Sequence, residues 1–314
     1  MILGTRALLS LLLVSSSHAF TGSPVRLSSS TLRPTFVSDT QRVHLATPRE
    51  STSLNLFFNS KEPVVITEPE VEDTAATFAV NVPFLAAWIG LVGWAFTAAP
   101  GEVGSAADTE MLNNIIANPT DPGINELYYT AFNFFATIPV ILAALVLPQG
   151  SKKSLLPAGP FLALSTFFGY FALGPYMSFR PAPVQDIQDK SGEISWFTKN
   201  VVENRFFNIF ILAFTLYLPV AANVFEAYQN DPQQLWQGFV DIISTSRFAA
   251  VSLVDIAILY VTSVALIVDD YKLRKPTSDD GEAQRVALLA ALLPVVGSSI
   301  YCAVRPPLPI DSEE

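Results

Sequence analysis

The chain has 314 residues, half of them apolar and only 15% charged, with a mean hydropathy of +0.39. Soluble domains carry about 25% charged residues, and here the charges gather between long apolar runs. A formal net charge of −10 disfavours nucleic acid and a polybasic lipid-binding role, and a single cysteine, Cys302, excludes an intrachain disulfide or a cysteine metal cluster.

Residues 1–19 have Arg6, then a short apolar run from Ala7 to Val14, then Ser15-Ser-Ser-His-Ala19. This order of basic, apolar and small residues is that of a signal peptide, and the run is too short for a comfortable membrane span. Residues 20–51 are rich in Ser, Thr and Arg, the composition of a transit peptide. Residues 52–76 include the acidic stretch from Glu62 to Asp73, too polar to pack and expected to be a disordered spacer. His18 and His44 both lie in this leader, so the chain beyond residue 51 has no histidine.

Residues 77–305 read as an all-α, polytopic membrane bundle of about six transmembrane helices, followed by a tail at 306–314. The expected spans are 78–98, 128–147, 157–178, 206–225, 248–268 and 286–303, each near the ~20 residues that cross hydrocarbon. Tyr128, Tyr129, Tyr176 and Tyr301 fall where interfacial aromatics would sit. Pro83, Pro139, Pro175, Pro219 and Pro294 lie within or near span ends and imply kinks or, more sharply, a broken helix lining a site. Residues 233–246 put Leu235, Trp236, Phe239, Ile242 and Ile243 on one face, the pattern of an interfacial helix. Met111–Ile116 could form a helical turn in the acidic loop 99–126.

With six spans, the positive-inside rule puts the basic loops 179–205 and 269–285 in the stroma and both ends in the lumen, but the all-acidic loop 99–126 argues the other way. Spans 2–3 and 5–6 both form hairpins around a basic loop, a faint three-plus-three repeat that would be inverted.

Asp255 is the leading candidate for chemistry, because a carboxylate in hydrocarbon costs about 2.5–3.5 kcal/mol on insertion scales. It could serve a proton or ion, ligate pigment or metal, or bond to Asn133, Asn208 or Asn223. Those amides, with Asn81, otherwise read as helix-to-helix glue. Ser165 and Gly169, four apart, would allow close helix approach. Glu203 and Arg205 read as an interfacial ion pair or headgroup contact. Lack of histidine beyond the leader excludes histidine-ligated haem, histidine di-iron centres, Ser-His-Asp triads and HExxH zinc there. No phosphate loop or dinucleotide fingerprint occurs. No cofactor is predicted, although pigment or lipid could be held by amides or packing.

Ser17-His18-Ala19-Phe20 resembles the cleavage region of the bipartite presequence used by plastids of red-algal origin, as in diatoms, which implies import into the plastid. Residues Glu126–Pro139, Leu155–Phe161, Ser246–Asp255 and Val268–Asp270 resemble uncharacterised multi-pass proteins of cyanobacteria and chloroplasts, a likeness spanning most of 115–305. Residues 246–305 are similar to the neoxanthin-synthase-type family, where an aspartate-bearing span precedes a turn like Pro294-Val-Val-Gly297. The histidine next to that span is absent here, so no catalytic role carries over. The expectation is a plastid membrane protein, in thylakoid or envelope, without catalytic activity. It would be a subunit, assembly factor or scaffold, with membrane lipids and a photosynthetic membrane complex as partners. The alternatives are a small transporter using Asp255 and an enzyme of carotenoid or lipid metabolism.

Overall fold

A computed structural model describes residues 80–119, 122–149, 156–181 and 194–309. The expected signal peptide, transit peptide and acidic spacer, and the tail beyond residue 309, lie outside these residues. Every regular element among them is helical.

Helix α1 is Val82–Thr97, with Pro83 in its first turn, where a missing N–H costs nothing. Helix α2, Ala106–Ala117, is capped by Ser105 and buries Met111 and Ile115. Helix α3, Glu126–Asn133, is capped by Asn125 and continues through a 3-10 turn into α4, Ile138–Val146. Helix α5 is Ala158–Phe179 and α6 is Arg205–Ala221. Two shorter helices follow, α7 at Val224–Asn230 and α8 at Pro232–Thr245. Helix α9, Arg247–Arg274, is 28 residues and so about 42 Å long. Helices α10, Asp280–Ala290, and α11, Val296–Val304, complete the order.

Three stretches are long and apolar enough to cross a membrane: Glu126–Gln149, Arg205–Asn230 and Arg247–Arg274. Helix α1 is apolar but shorter. The expected third and sixth spans are not straight helices. In α5 the backbone breaks at Gly169 (φ 54°, ψ −136°). The rings of Phe161 and Tyr176 stack at 6.0 Å, whereas 15 residues of continuous helix would separate them by about 22 Å. So α5 folds back on itself, with an inward limb before Gly169 and a return limb after it. The sixth segment does the same. It starts beside the end of α9, where Asp280 pairs with Lys272 and Glu282 with Lys275. It reaches Tyr260, whose hydroxyl donates to the Ala291 carbonyl at 2.7 Å. Then it returns past Ser263, bonded to Ser298, to place Tyr301 and Arg305 at Asp270.

Both hairpins therefore begin and finish at the Arg274 end of α9. Helices α1 and α6 run from that end toward Arg247, as the bonds of Asn81 to Ser178 and of Arg247 to the Ala99 carbonyl show for α1. The α3–α4 stretch runs the other way, from Tyr128 beside Ser252 to Gln149 beside Arg180. The chain is thus two similar halves, each a helix, a connection at the Arg247 end, a returning helix and a hairpin. The repeat has the same direction in both halves. This corrects the inverted arrangement, because a hairpin that turns back leaves each half with two traverses instead of three. A sequence trace survives: Tyr176-Met-Ser-Phe-Arg180-Pro181 and Tyr301-Cys-Ala-Val-Arg305-Pro306 lie 125 residues apart.

The main core fills the space between α4, α5, α9 and the second hairpin, around Leu142, Leu145, Tyr170, Leu173, Leu259 and Leu266. A smaller core at the Arg247 end joins α2, α3 and α8 through Met111, Tyr128 and Phe239. Helix α8 is amphipathic, with Leu235 buried and Phe239, Ile242 and Ile243 packed on this core, but Trp236, expected on the same face, is exposed. The four tyrosines expected at interfaces are instead all buried. Each hydroxyl or ring has a specific partner in the bundle, or packs against one, as Tyr128 bonds Ser252 and Tyr176 stacks on Phe161.

Candidate intramembrane site

Asp255 sits eight residues into α9, about 12 Å along its axis, and is 4% exposed. Its partner is none of the expected asparagines. The Tyr170 backbone N–H donates to Asp255 Oδ1 at 2.6 Å. The cause is the break at Gly169. The return limb is a new helix, and its first amides have no carbonyl one turn back. A carboxylate from α9 fills that role, as an N-cap supplied by another helix, and the positive end of the limb favours the anion. Only glycine fits: a Cβ at Gly169 would overlap the Asp255 carboxylate, and φ of +54° is unfavourable for other residues. The expected close approach at Gly169 is therefore found, but against a side chain.

The three asparagines are scattered. Asn208 Nδ2 donates to the Val202 and Asn204 carbonyls at 2.8 and 2.9 Å. Asn223 has a positive φ of 56° and starts α7. Asn133 closes α3. No hydrogen bond joins any of them to Asp255 among the described residues. Asn81 does act as glue, donating to the Met177 and Arg180 carbonyls.

Sequence reasoning missed the densest polar group, a buried charge network at the Arg274 end. The Arg274 guanidinium meets Glu203 through two contacts of 2.7 Å and Asp270 at 2.8 and 3.2 Å. Arg305 reaches Glu203 at 2.9 Å, the Ala144 carbonyl at 2.7 Å and Asp270 at 3.4 Å. Tyr301 donates to Asp270 at 2.8 Å. Alongside, Arg180 pairs with Asp269 at 2.8 Å and with Gln149 at 3.3 Å. Glu203 is therefore not an interfacial partner of Arg205; a π-helical turn at Thr198–Val202 delivers it into the bundle.

Three guanidiniums and three carboxylates balance, so the network costs far less than isolated charges would. It ties both hairpin ends to α9: Arg180 closes the first hairpin on Asp269, Arg305 the second on Asp270. Two signals pointed here. Asp269, Asp270 and Arg274 are charges within the last turns of an apolar helix, and the Tyr-x-x-x-Arg-Pro segment occurs twice. The Arg180 Nε and Thr130 Oγ1 atoms are buried without a partner.

No group of three or more His, Cys, Asp or Glu side chains suited to a metal occurs among the described residues. No family model, curated protein or solved structure matches the chain.

Proposed function

We propose that this is a plastid membrane protein that works as a subunit, assembly factor or scaffold of a thylakoid or envelope complex. The observation that carries the reading is the internal use of its deep polar groups. The three carboxylates and three guanidiniums of the network pair with one another, and Asp255 is engaged as a helix cap. Among the described residues only Arg180 Nε and Thr130 Oγ1 are buried polar side-chain atoms without a partner. The plastid location rests on the leader sequence.

In this reading the chain crosses the membrane four times, by α1, α3–α4, α6 and α9, and dips twice from one side. Backbone that turns within the bilayer needs burial in protein, which Gly169 and Tyr170 have at the first tip; at the second tip Val295 is buried while Leu292 and Leu293 are exposed. Charge supports the arrangement. Of the thirteen basic residues after position 51, nine are described, and of these only Arg247 falls at the Arg247 end; the other eight lie in segments that start or finish at the Arg274 end. Six spans split the thirteen five to eight. The positive-inside rule then puts the Arg274 end, both termini and both hairpin mouths on the stromal side.

The test is native gel separation of mildly solubilised plastid membranes, with mass spectrometry of the bands. Comigration with a large complex is expected; migration only as a small free species would sink the reading. A second reading, a small carrier, is favoured by one observation: the Asp255 carboxylate lies against a broken helix, the setting in which transporters hold substrates and ions. It expects lost transport in Asp255→Asn with normal assembly.

A further inference from the structure

At the Arg247 end, a cavity of about 540 Å³ opens between the start of α3, the end of α6, α7 and the start of α8. This lies within the ~300–1,000 Å³ of small-molecule sites. Its polar lining includes Glu126, Asn223, Asn230, Asp231 and Gln234, and its floor is apolar, with Ala222 and Ala227. Asp231 Oδ1 caps α8 through the Gln233 and Gln234 amides. The side chains of Glu126, Asn223, Asn230 and Gln234 have no hydrogen bond to the chain among the described residues. Two carboxylates and four amides thus line one space, Asp231 and Asn125 already engaging backbone groups, with no basic side chain among the described lining residues.

That chemistry selects its ligand. A phosphate or sulfate would meet two carboxylates and no cation, an uncompensated repulsion. Carboxylates and amides together accept from and donate to vicinal hydroxyls, while the small apolar floor suits the face of a sugar ring. The depth of the cavity selects the source. Tyr217, Phe225, Tyr228 and Trp236, on the three helices α6, α7 and α8 that meet at the cavity, are all more than half exposed. Such a belt of exposed aromatics sits at the lipid headgroup level. We propose that this cavity binds the neutral glycosyl headgroup of a membrane lipid. The inference requires membrane insertion but neither the scaffold reading nor the carrier reading.

The test uses the full-length chain in nanodiscs of phosphatidylcholine doped with equal amounts of monoglucosyl diacylglycerol and phosphatidylglycerol. Purification uses a non-glycosidic detergent, since a sugar detergent would occupy the site. Lipids retained on the protein are then counted by native mass spectrometry. Selective retention of the glucolipid is expected, displaced by soluble methyl glucoside. Asn230→Ala and Gln234→Ala, both at exposed positions, should each lower retention about fivefold, the loss of one hydrogen bond. Ala227→Phe, which fills the floor, should abolish it. Melting temperatures of the three variants check that folding is intact. Equal retention of all three lipids, or glucolipid preference that survives Ala227→Phe, would overturn the proposal. So would binding of methyl glucoside without retention of the lipid.

Discussion

The two hairpins solve one problem by opposite means. A helix that turns back inside the bundle leaves N–H groups free at the start of the return limb and carbonyls free at the end of the inward limb. The first hairpin turns at Gly169 and has its free N–H, that of Tyr170, met by an acceptor, Asp255. The second turns through Leu292–Val295 and has a free carbonyl, that of Ala291, met by a donor, the Tyr260 hydroxyl. Both partners come from α9, five residues apart. The first turn needs glycine beneath a carboxylate; the second tolerates a strained valine, Val295 at φ 63°, with Gly297 pressed on the Ala290 backbone. A duplicated fold can therefore keep its geometry while each copy finds its own way to satisfy the broken backbone.

The largest effect expected is on topology. Single cysteines in a Cys302→Ser background, at Pro157, Lys199, Lys275, Glu110 and Gln237, would be challenged with a membrane-impermeant maleimide in sealed vesicles. Two dipping hairpins put the first three on one face and the last two on the other. Labelling of the Pro157 and Lys199 positions from opposite faces would restore a third full crossing and break the equivalence of the halves.

This also marks where sequence reading stops. All six apolar segments were legible, as was the amphipathic α8, because composition and period survive in the chain; Asp255 was legible as a carboxylate set in an apolar run, and the structure buries it. The turns were not. Gly169 lies in an uninterrupted apolar run, and a glycine there reads equally as a packing notch or a reversal. What decides is the Asp255 carboxylate, 86 residues later in the chain. The buried network was hidden for a similar reason. Asp269, Asp270 and Arg274 look like an ordinary charged loop once α9 is assumed to end near residue 268, and they enter the bundle only because α9 continues to Arg274. The repeated Tyr-x-x-x-Arg-Pro segment was one available clue and the uneven spread of basic residues another, the latter readable only in the four-crossing reading proposed above.

The next effect in size concerns what holds the hairpin mouths. Arg274→Met would leave Glu203 and Asp270 buried with fewer cations, at a cost of about 3–5 kcal/mol. Arg180→Met breaks the equivalent tie of the first hairpin, on a smaller network, and should cost less. Thermal unfolding of purified protein measures both. Equal losses would mean that the network is not concentrated on the second hairpin as the contacts indicate.

The tips differ more sharply. Gly169→Val should cost about 3 kcal/mol, from the unfavourable φ and the collision with Asp255. Pro294→Ala at the corresponding position in the second hairpin should change stability little. At Asp255, asparagine still offers an acceptor to Tyr170, so Asp255→Asn should be nearly neutral. Asp255→Leu strands that amide and should cost ~1–3 kcal/mol. A large loss of stability in Asp255→Asn would show that the charge itself, and not the cap, holds the turn.

The smallest effect lies at the outer mouth of the second hairpin. Lys275 Nζ contacts Glu282 Oε1 at 2.7 Å, and the Tyr271 hydroxyl donates to the same oxygen at 2.8 Å. Lys275, first, and then Tyr271 hold the Glu282 carboxyl below its ordinary range. A depressed carboxyl contributes stability that is present above its unfolded pKa and is lost as pH falls through the folded one. The first hairpin has no counterpart to this pair: Pro157 and Gly150 stand at the positions 125 residues before Glu282 and Lys275. Wild type should therefore lose a small increment relative to Lys275→Met as pH drops below the carboxylate range, in low salt only, because the pair is solvent-exposed and screened. If the gap between the two proteins stayed constant across that range, Glu282 would not be the partner responsible, and the mouth of the second hairpin would rest on Lys272 and Asp280 instead.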